Sequence, residues 1–339
     1  LWWSVLGRNK KSVTCNLRLP EGQQIARDII ATSDVLIENF RSGTLERWGL
    51  SPEQLWEINP RLVILRVTGF GQTGPMSKEA GYGAVGEAMG GLRYVTGDPD
   101  RMPSRAGISI GDTLAATFGT LGALMALHAR NRTGRGQVVD SALYEAVLAV
   151  MESLVIDYDQ AEYIRERTGS ILPKIAPSNV YPTQDGEMLI AGNGDSIFRR
   201  MAEGMGQPEL AEDPRFADHT ARGENQAELD VVIEAWSLTK TSEEVDALMT
   251  EHKVPHGKIF RAPEMLEDAQ FKARESIIKV MHPQYGEVAM QNAFPRLSDT
   301  PGQVRWVGPE LGQHTDEILK SVLGKTDDEI AALRAGDVI

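Results

Sequence analysis

Between residues 20 and 75 the apolar positions change period repeatedly, and the changes predict helices alternating with strands. Ile25, Ile29 and Ile30 recur at helical spacing behind Pro20 and Glu21, a proline and an acid suited to a first turn. Residues 34–37 are short and almost wholly apolar, as a buried strand is. Ser51, Pro52, Glu53 and Gln54 form a capping-box pattern that opens another short helix. Leu62, Val63, Ile64, Leu65 and Val67 predict a second buried strand, and Val138 with Val139 a brief third. Strands alternating with helices imply an α/β fold with a parallel, doubly wound sheet.

The longest pattern spans residues 103–137. Leu114, Phe118, Leu121, Met125 and His128 recur at steps of three and four, which predicts a long helix with that face buried. Thr133, Gly134, Arg135 and Gly136 end it. Asp112 stands where a small-residue loop becomes this helix. An Asp there is commonly an N-cap, and residue type alone does not separate that role from a catalytic one.

Beyond residue 165 the periodicity fades into Gly, Pro and charge. The expected organisation is a large domain over 1–165 and 293–339, a linker over 166–179 and a smaller α+β domain over 180–292. Within the latter, Gln184, Asp185 and Gly186 predict a hairpin turn, Gly192 to Ser196 a helix cap, and Thr241 to Glu244 a second capping box. Another hairpin is expected around Pro283 to Gly286, and two capped helices close the chain.

Composition narrows the partners. The 339 residues are 41% apolar and 24% charged, with a formal charge of −13, values of an ordinary globular protein of roughly two domains. So acidic a chain is a poor partner for nucleic acid or an anionic membrane. Any phosphate-bearing ligand must find a local basic patch, and Arg8, Lys10, Lys11 and Arg18 form one without an intervening acid. A single cysteine, Cys15, excludes an internal disulfide and points to a reducing, cytoplasmic setting. No run is expected to span a membrane. The chain opens at Leu1 without Met.

Several chemistries find no support. The six histidines are scattered, and Pro255 separates His252 from His256, so no zinc site is expected. There is no G-x-S-x-G elbow and no Walker loop. Gly69, Gly71 and Gly74 formally spell G-x-G-x-x-G after a strand, but Pro75 follows where a helix should open, so a dinucleotide fingerprint is rejected. Read unaided, the residues give an α/β enzyme with an anionic small-molecule ligand.

Six segments then resemble the class III CoA-transferases, the formyl-CoA and carnitine-CoA transferase (CaiB/BaiF-like) group. They are RNKKSVTCNL (8–17), DVLIENFRSGTLERWGL (34–50), NPRLVILRVTGFGQTGP (59–75), GISIGDTLAATFGTLGALMAL (107–127), RTGRGQVVDSAL (132–143) and LGQHT (311–315). They run in the family's order over nearly the whole chain. The resemblance implies an interlaced, ring-threaded homodimer with a Rossmann-like large domain. It also implies coenzyme A or acyl-CoA as substrate, a small carboxylic acid as second partner, and no permanently bound cofactor. Asp112 matches the family's catalytic Asp. Cys15, Asn16, Leu17, Arg18, Asn39, Phe40, Arg41, Arg47, Gly81 and Tyr82 match positions that contact CoA. The family's opening strand and Gly/Ala-rich loop would precede residue 1, and an acid it often carries after the Tyr is here Gly83.

The implied reaction is transfer of CoA from an acyl-CoA to a carboxylic acid through aspartyl anhydride and aspartyl-CoA thioester. A carboxylate is ionised at neutral pH, which fits the lack of any His partner for Asp112. Gly111, Ala115 and Ala116 would keep the pocket small and dry. GNGDSIF (192–198) resembles the loop of dicarboxylate-using members, which makes succinyl-CoA the expected donor. The rival within the fold is a 2-methylacyl-CoA racemase-like isomerase, whose shuttle uses a His where this chain has Tyr82, and a phenol is a poor base. A non-catalytic CoA-binding relative would keep the arginines and tolerate loss of Asp112.

Overall fold

The structure is a computed structural model and describes all 339 residues. It divides into two compact units, one made of Leu1–Leu92, Gly107–Ser153 and Leu266–Ile339, the other of Arg93–Ala106 and Leu154–Met265.

At the heart of the first unit lies a three-stranded parallel sheet of β1 (Val35–Glu38), β2 (Val63–Thr68) and β3 (Val138–Ala142), in that spatial order. The middle strand is buried on both faces, which is why it reads as a continuous apolar run. On one face Leu62 and Ile64 pack with Ile30, Leu45, Leu50 and Leu55 from the helices Pro20–Ala31, Thr44–Arg47 and Pro52–Ile58 and the segments between them. On the other, Val63 packs with Ala123 and Ala126 of the helix Ile110–Thr133. The Ser51 capping box forms as its sequence requires.

The Ile110–Thr133 helix departs from its expected burial. The residues turned inward are Gly111, Ala115, Gly119, Ala123 and Ala126, whereas Phe118, Leu121, Met125 and His128 are exposed and Leu114 is half-buried. Small side chains let the helix axis approach the sheet. A Cβ at Gly119 would meet Leu65 Cδ1 at 3.0 Å, and one at Gly122 would meet Val139 Cγ1 at 2.7 Å. The helix has 24 residues and is long and apolar enough to cross a membrane by length and composition, contrary to the expectation that no run would be. At its far end Arg130 reaches back across the sheet. Its guanidinium pairs with Asp34 Oδ1 at 2.7 Å and donates to the Arg61 carbonyl at 3.0 Å, just before β1 and β2 begin.

The unit boundaries also differ from the sequence reading. The hairpin β7 (Ile277–His282) and β8 (Gly286–Gln291), expected in the smaller domain, belongs to the first unit. His282 Nε2 lies 3.1 Å from Ser4 Oγ, and Arg8 donates to the Gln291 carbonyl. Residues 93–106 and 154–165, expected in the large domain, belong to the second unit, where Arg167 donates to the carbonyls of Tyr94 (2.8 Å) and Asp98 (3.3 Å).

The second unit has an antiparallel sheet of β4 (Ser178–Pro182), β5 (Glu187–Ala191) and β6 (His256–Lys258). Its core gathers Tyr181, Met188, Ile190, Phe198, Phe216 and Trp236. Arg222 is wholly buried there. It donates to the carbonyls of Ala176, Phe216 and Asn193, binds Asp195 Oδ1 at 2.7 Å, and stacks 4.7 Å from the Phe198 ring. One guanidinium thus holds the Gly192–Ser196 turn to the core. Arg222→Met is expected to destabilise the protein by about 3 kcal/mol or more, because three carbonyls lose their donor inside the core. Denaturant unfolding checks this, and a midpoint equal to that of the parent protein would refute it.

Candidate active site

Asp112 is not the N-cap of its helix. Ser109 holds that position, without a side-chain capping bond, and Asp112 is the third residue of the first turn. Its side chain is therefore available to the cavity in front of it. That cavity, about 360 Å³, is lined by Asp112 with Asn39, Phe40, Arg41, Gly81 and Tyr82 among others. Six of the eleven residues singled out in the sequence meet there.

Two close backbone approaches shape the cavity. A Cβ at Gly69 would lie 2.7 Å from Gly81 Cα, so the loop after β2 and the segment entering the helix Gly83–Met89 touch main chain to main chain. A Cβ at Gly83 would lie 2.1 Å from Asp112 Oδ2. The Asp112 carboxylate thus occupies the space that any side chain at position 83 would need. A side chain at position 83 could be seated only if Asp112 turned aside or the Gly83–Met89 helix moved.

The rest of the wall comes from the ends of β1 and β2. Glu38, the last residue of β1, accepts the Phe40 N–H at Oε2 (2.7 Å) and Arg66 Nε at Oε1 (2.6 Å). Arg66 also reaches Glu46 Oε1 at 2.7 Å. Glu38 and Arg66 are buried, whereas the Glu46 side chain is 38% exposed. Burial works against Glu46 ionising, but the hydrogen bonds and charge of Arg66 outweigh it and hold that carboxyl below its ordinary range. A depressed folded-state value means that this stabilisation is present at neutral pH and is lost as pH falls through it. The Phe40 ring stands edge-on to Trp48 at 5.1 Å. Ser42 Oγ and Thr68 Oγ1 are buried without a partner, and both residues line the cavity, leaving polar groups for a ligand. Beside β2, Asp140 of β3 accepts the Gln72 N–H at 2.8 Å and secures the loop after β2.

The remaining predicted residues do not line this cavity. Arg47 is near it in sequence, on the Thr44–Arg47 helix, and bonds Thr44 Oγ1 at 2.8 Å. Cys15 and Asn16 lie against the C-terminal residues instead, while Leu17 and Arg18 bond locally, Arg18 N–H to Asn16 Oδ1 at 3.2 Å. Asn16 N–H donates to the Val338 carbonyl at 2.8 Å, Cys15 packs with Ile25, Leu319 and Ile330, and the Leu17 carbonyl accepts from Gln23. Burial raises the Cys15 thiol, and its Sγ donates to the Gly22 carbonyl, features of a quiet thiol rather than a nucleophile. Lys11 pairs with Glu317, so part of the basic patch is already neutralised. A larger cavity of about 780 Å³, between Trp3, His282, Trp306 and His314, contains none of the predicted residues. The sequence reading overlooked Glu38, Glu46 and Arg66; the signal was a lone Arg inside an apolar strand.

Comparison with known proteins places this geometry. Residues 1–315 match the profile of CoA-transferase family III. The chain is 58% identical over 340 residues to the succinyl-CoA–D-citramalate CoA-transferase of Chloroflexus aurantiacus, covering all of this chain and 85% of that one. It is 39% identical over 343 residues to the beta subunit of succinyl-CoA–L-malate CoA-transferase from the same organism, again covering all of this chain and 85% of the relative. Among solved structures, a CAIB/BAIF family protein from Brucella suis superposes with a TM-score of 0.85 at 33% identity, covering 95% of this chain and 84% of that one. With a parallel-sheet α/β unit, a carboxylate on a cavity wall and a family match across nearly its whole length, this chain belongs to the CoA-transferase family III and is a CoA-transferase.

Proposed function

We propose that the protein moves CoA from succinyl-CoA to a hydroxy-dicarboxylic acid, with Asp112 as the covalent nucleophile. The observation that carries this reading is the position of Asp112 on the wall formed by Asn39, Phe40, Arg41, Gly81 and Tyr82, in a chain 58% identical to a succinyl-CoA–D-citramalate CoA-transferase. An Asp112 oxygen attacks the thioester carbonyl of succinyl-CoA, and CoA leaves as thiolate, giving a succinyl-aspartyl anhydride. The thiolate attacks the aspartyl carbonyl, releasing succinate and leaving an aspartyl-CoA thioester. The acceptor carboxylate attacks that thioester and expels the thiolate, which then attacks the acceptor's acyl carbonyl. Acyl-CoA product departs and Asp112 is again a carboxylate.

Each addition places negative charge on an oxygen beside the first turn of the Ile110–Thr133 helix, whose leading N–H groups have no partner within the helix. Thioester is exchanged for thioester, so the chemistry is close to balanced and the protein's task is to position and to exclude water. Arg41 supplies a positive charge at the cavity, and Cys15, Asn16, Leu17, Arg18 and Arg47 are proposed to meet the distant part of CoA. The test is incubation with succinyl-CoA and each of D-citramalate, L-malate and glutarate, followed by mass spectrometry of the CoA products. Hydroxylamine added with the donor alone should trap Asp112 as its hydroxamate. Absence of any acyl-CoA product and of any Asp112 adduct would overturn the proposal.

The parallel sheet covered by helices on both faces supports a Rossmann-like reading of the first unit. The active form is proposed to be an interlaced homodimer. Phe118, Leu121, Leu124 and Met125 expose a large apolar face on the helix that carries Asp112, and a second copy of the chain is the partner that would cover it. Leu124→Glu with Met125→Glu is expected to shift the sedimenting species from dimer to monomer and lower activity at least about tenfold, since burying two charges in such a face is costly. A dimer unchanged in the double variant would refute this arrangement, as would a parent protein that floats with liposomes as a monomer.

A further inference from the structure

We infer that Arg66 is a positioning residue that holds the acyl-CoA-binding segment 39–47 through two carboxylates at once. The inference rests on the proposed role of that segment in binding CoA.

Arg66 lies in β2, in register with Glu38 of β1, so their side chains emerge beside each other on the sheet. The segment that follows Glu38 leaves the sheet, contributes Asn39, Phe40, Arg41 and Ser42 to the cavity wall, and returns as the short helix Thr44–Arg47. A free loop of this size would hold many conformations, and ordering its backbone on ligand binding would oppose binding. Arg66 removes that freedom at both ends. Its Nε binds Glu38 Oε1 at 2.6 Å, and the other oxygen of Glu38 takes the Phe40 N–H at 2.7 Å. Its Nη1 and Nη2 bind the two oxygens of Glu46 at 2.7 and 3.4 Å. The fork geometry of a guanidinium permits this double grip, and a lysine could not reproduce it.

The two arms differ in character. The Glu38 arm is fully enclosed, with side-chain exposures of 6% for Arg66 and 2% for Glu38, so it is part of the fold. The Glu46 arm faces solvent at 38% exposure, so losing it leaves the core intact while releasing the far end of the segment. Glu46 itself does not line the cavity. Its effect on function would therefore pass through the segment, as preorganisation does.

The experiment compares the full-length parent with Glu46→Gln, Glu38→Gln and Arg66→Lys. It measures KM for succinyl-CoA and for the acceptor acid separately, kcat at saturation, melting temperature, and the Kd of CoA by calorimetry. Glu46→Gln is expected to raise KM for succinyl-CoA and the Kd of CoA by about five- to tenfold. The acceptor KM and kcat should stay within about twofold, with little change in melting temperature. Arg66→Lys should show the same selective defect with a larger loss of stability, and Glu38→Gln the largest loss of all. If Glu46→Gln leaves CoA affinity unchanged, or raises both KM values alike, the inference fails. A parent protein that binds CoA but transfers it to no acid would instead strike the proposed function, and the calorimetry would still decide the role of Arg66.

Discussion

Asp112→Ala is expected to lower transfer by about 10⁴-fold or more, the scale seen when an enzyme loses the group that forms its covalent intermediate. No other carboxylate on the cavity wall takes its place, because Glu79, the only other acid there, belongs to a different loop. Affinity for CoA should remain within about threefold, since the segment 39–47 and the loops at Gly69 and Gly81 are held by contacts that do not involve Asp112. Intact-mass measurement with succinyl-CoA should show an adduct on the parent protein and none on the variant. Asp112→Asn should be equally inactive despite its matching shape, because a neutral amide cannot form the anhydride. Residual activity above about one per cent in either variant would remove Asp112 from the role proposed for it.

Gly83→Ala carries the second largest expected effect. The added methyl would lie 2.1 Å from Asp112 Oδ2 and 2.8 Å from Cγ, so the carboxylate must swing away or the Gly83–Met89 helix must retreat. Either movement displaces the Asp112 carboxylate by about 1 Å, a misplacement worth roughly 10²-fold in rate if it acts as proposed. The effect should fall on kcat, with CoA binding preserved. Gly257→Ala, which places its methyl in open space within β6, is the matched control and should retain full activity. A Gly83→Ala protein that turns over like the parent would show that the proposed role of Asp112 does not depend on this contact.

How much of this was legible before the fold is best judged from individual residues. The individual strands, both hairpins and the capping boxes at Ser51 and Thr241 follow from local pattern, because each depends on neighbours within a few positions, whereas the parallel pairing of the strands is inferred from their alternation with helices. The long helix was found, but its inward face was mistaken. It has two apolar faces, one of small residues and one of large, and periodicity cannot say which of them the chain's own sheet will take. Packing density decides for the face of small residues, because Gly119 and Gly122 allow the helix to seat closely over Leu65 and Val139. Arg66 was hidden for a related reason. Within an apolar strand its charge reads as an interruption, and its meaning depends on Glu38 and Glu46, 28 and 20 residues away.

Of the site residues, those on loops at the ends of strands came together with Asp112, where an open parallel sheet gathers its ligand-binding loops. Gly81 and Tyr82 join them through the main-chain approach at Gly69. Cys15, Asn16, Leu17 and Arg18 lie between the first two helices, and Asn16 is drawn to the last residues of the chain by hydrogen bonds to the Asp337 and Val338 carbonyls that no local pattern announces. Gly83 was recorded in the sequence only as a missing acid. The space above its Cα is filled by the Asp112 carboxylate, which only the fold brings there.

Arg130 gives the Asp112 helix an anchor at the opposite end. Eighteen residues separate the two, about 27 Å of uninterrupted helix, and the arginine is fastened to Asp34 and to the Arg61 carbonyl at the entrances of β1 and β2. The rod is thus referenced to the starts of the same two strands whose finishes carry the cavity wall. Strand length and helix length together set the gap between Asp112 and the loop, much as two rulers clamped at one edge fix the offset at the other. A residue inserted into either would open or close that gap from a point far outside the pocket.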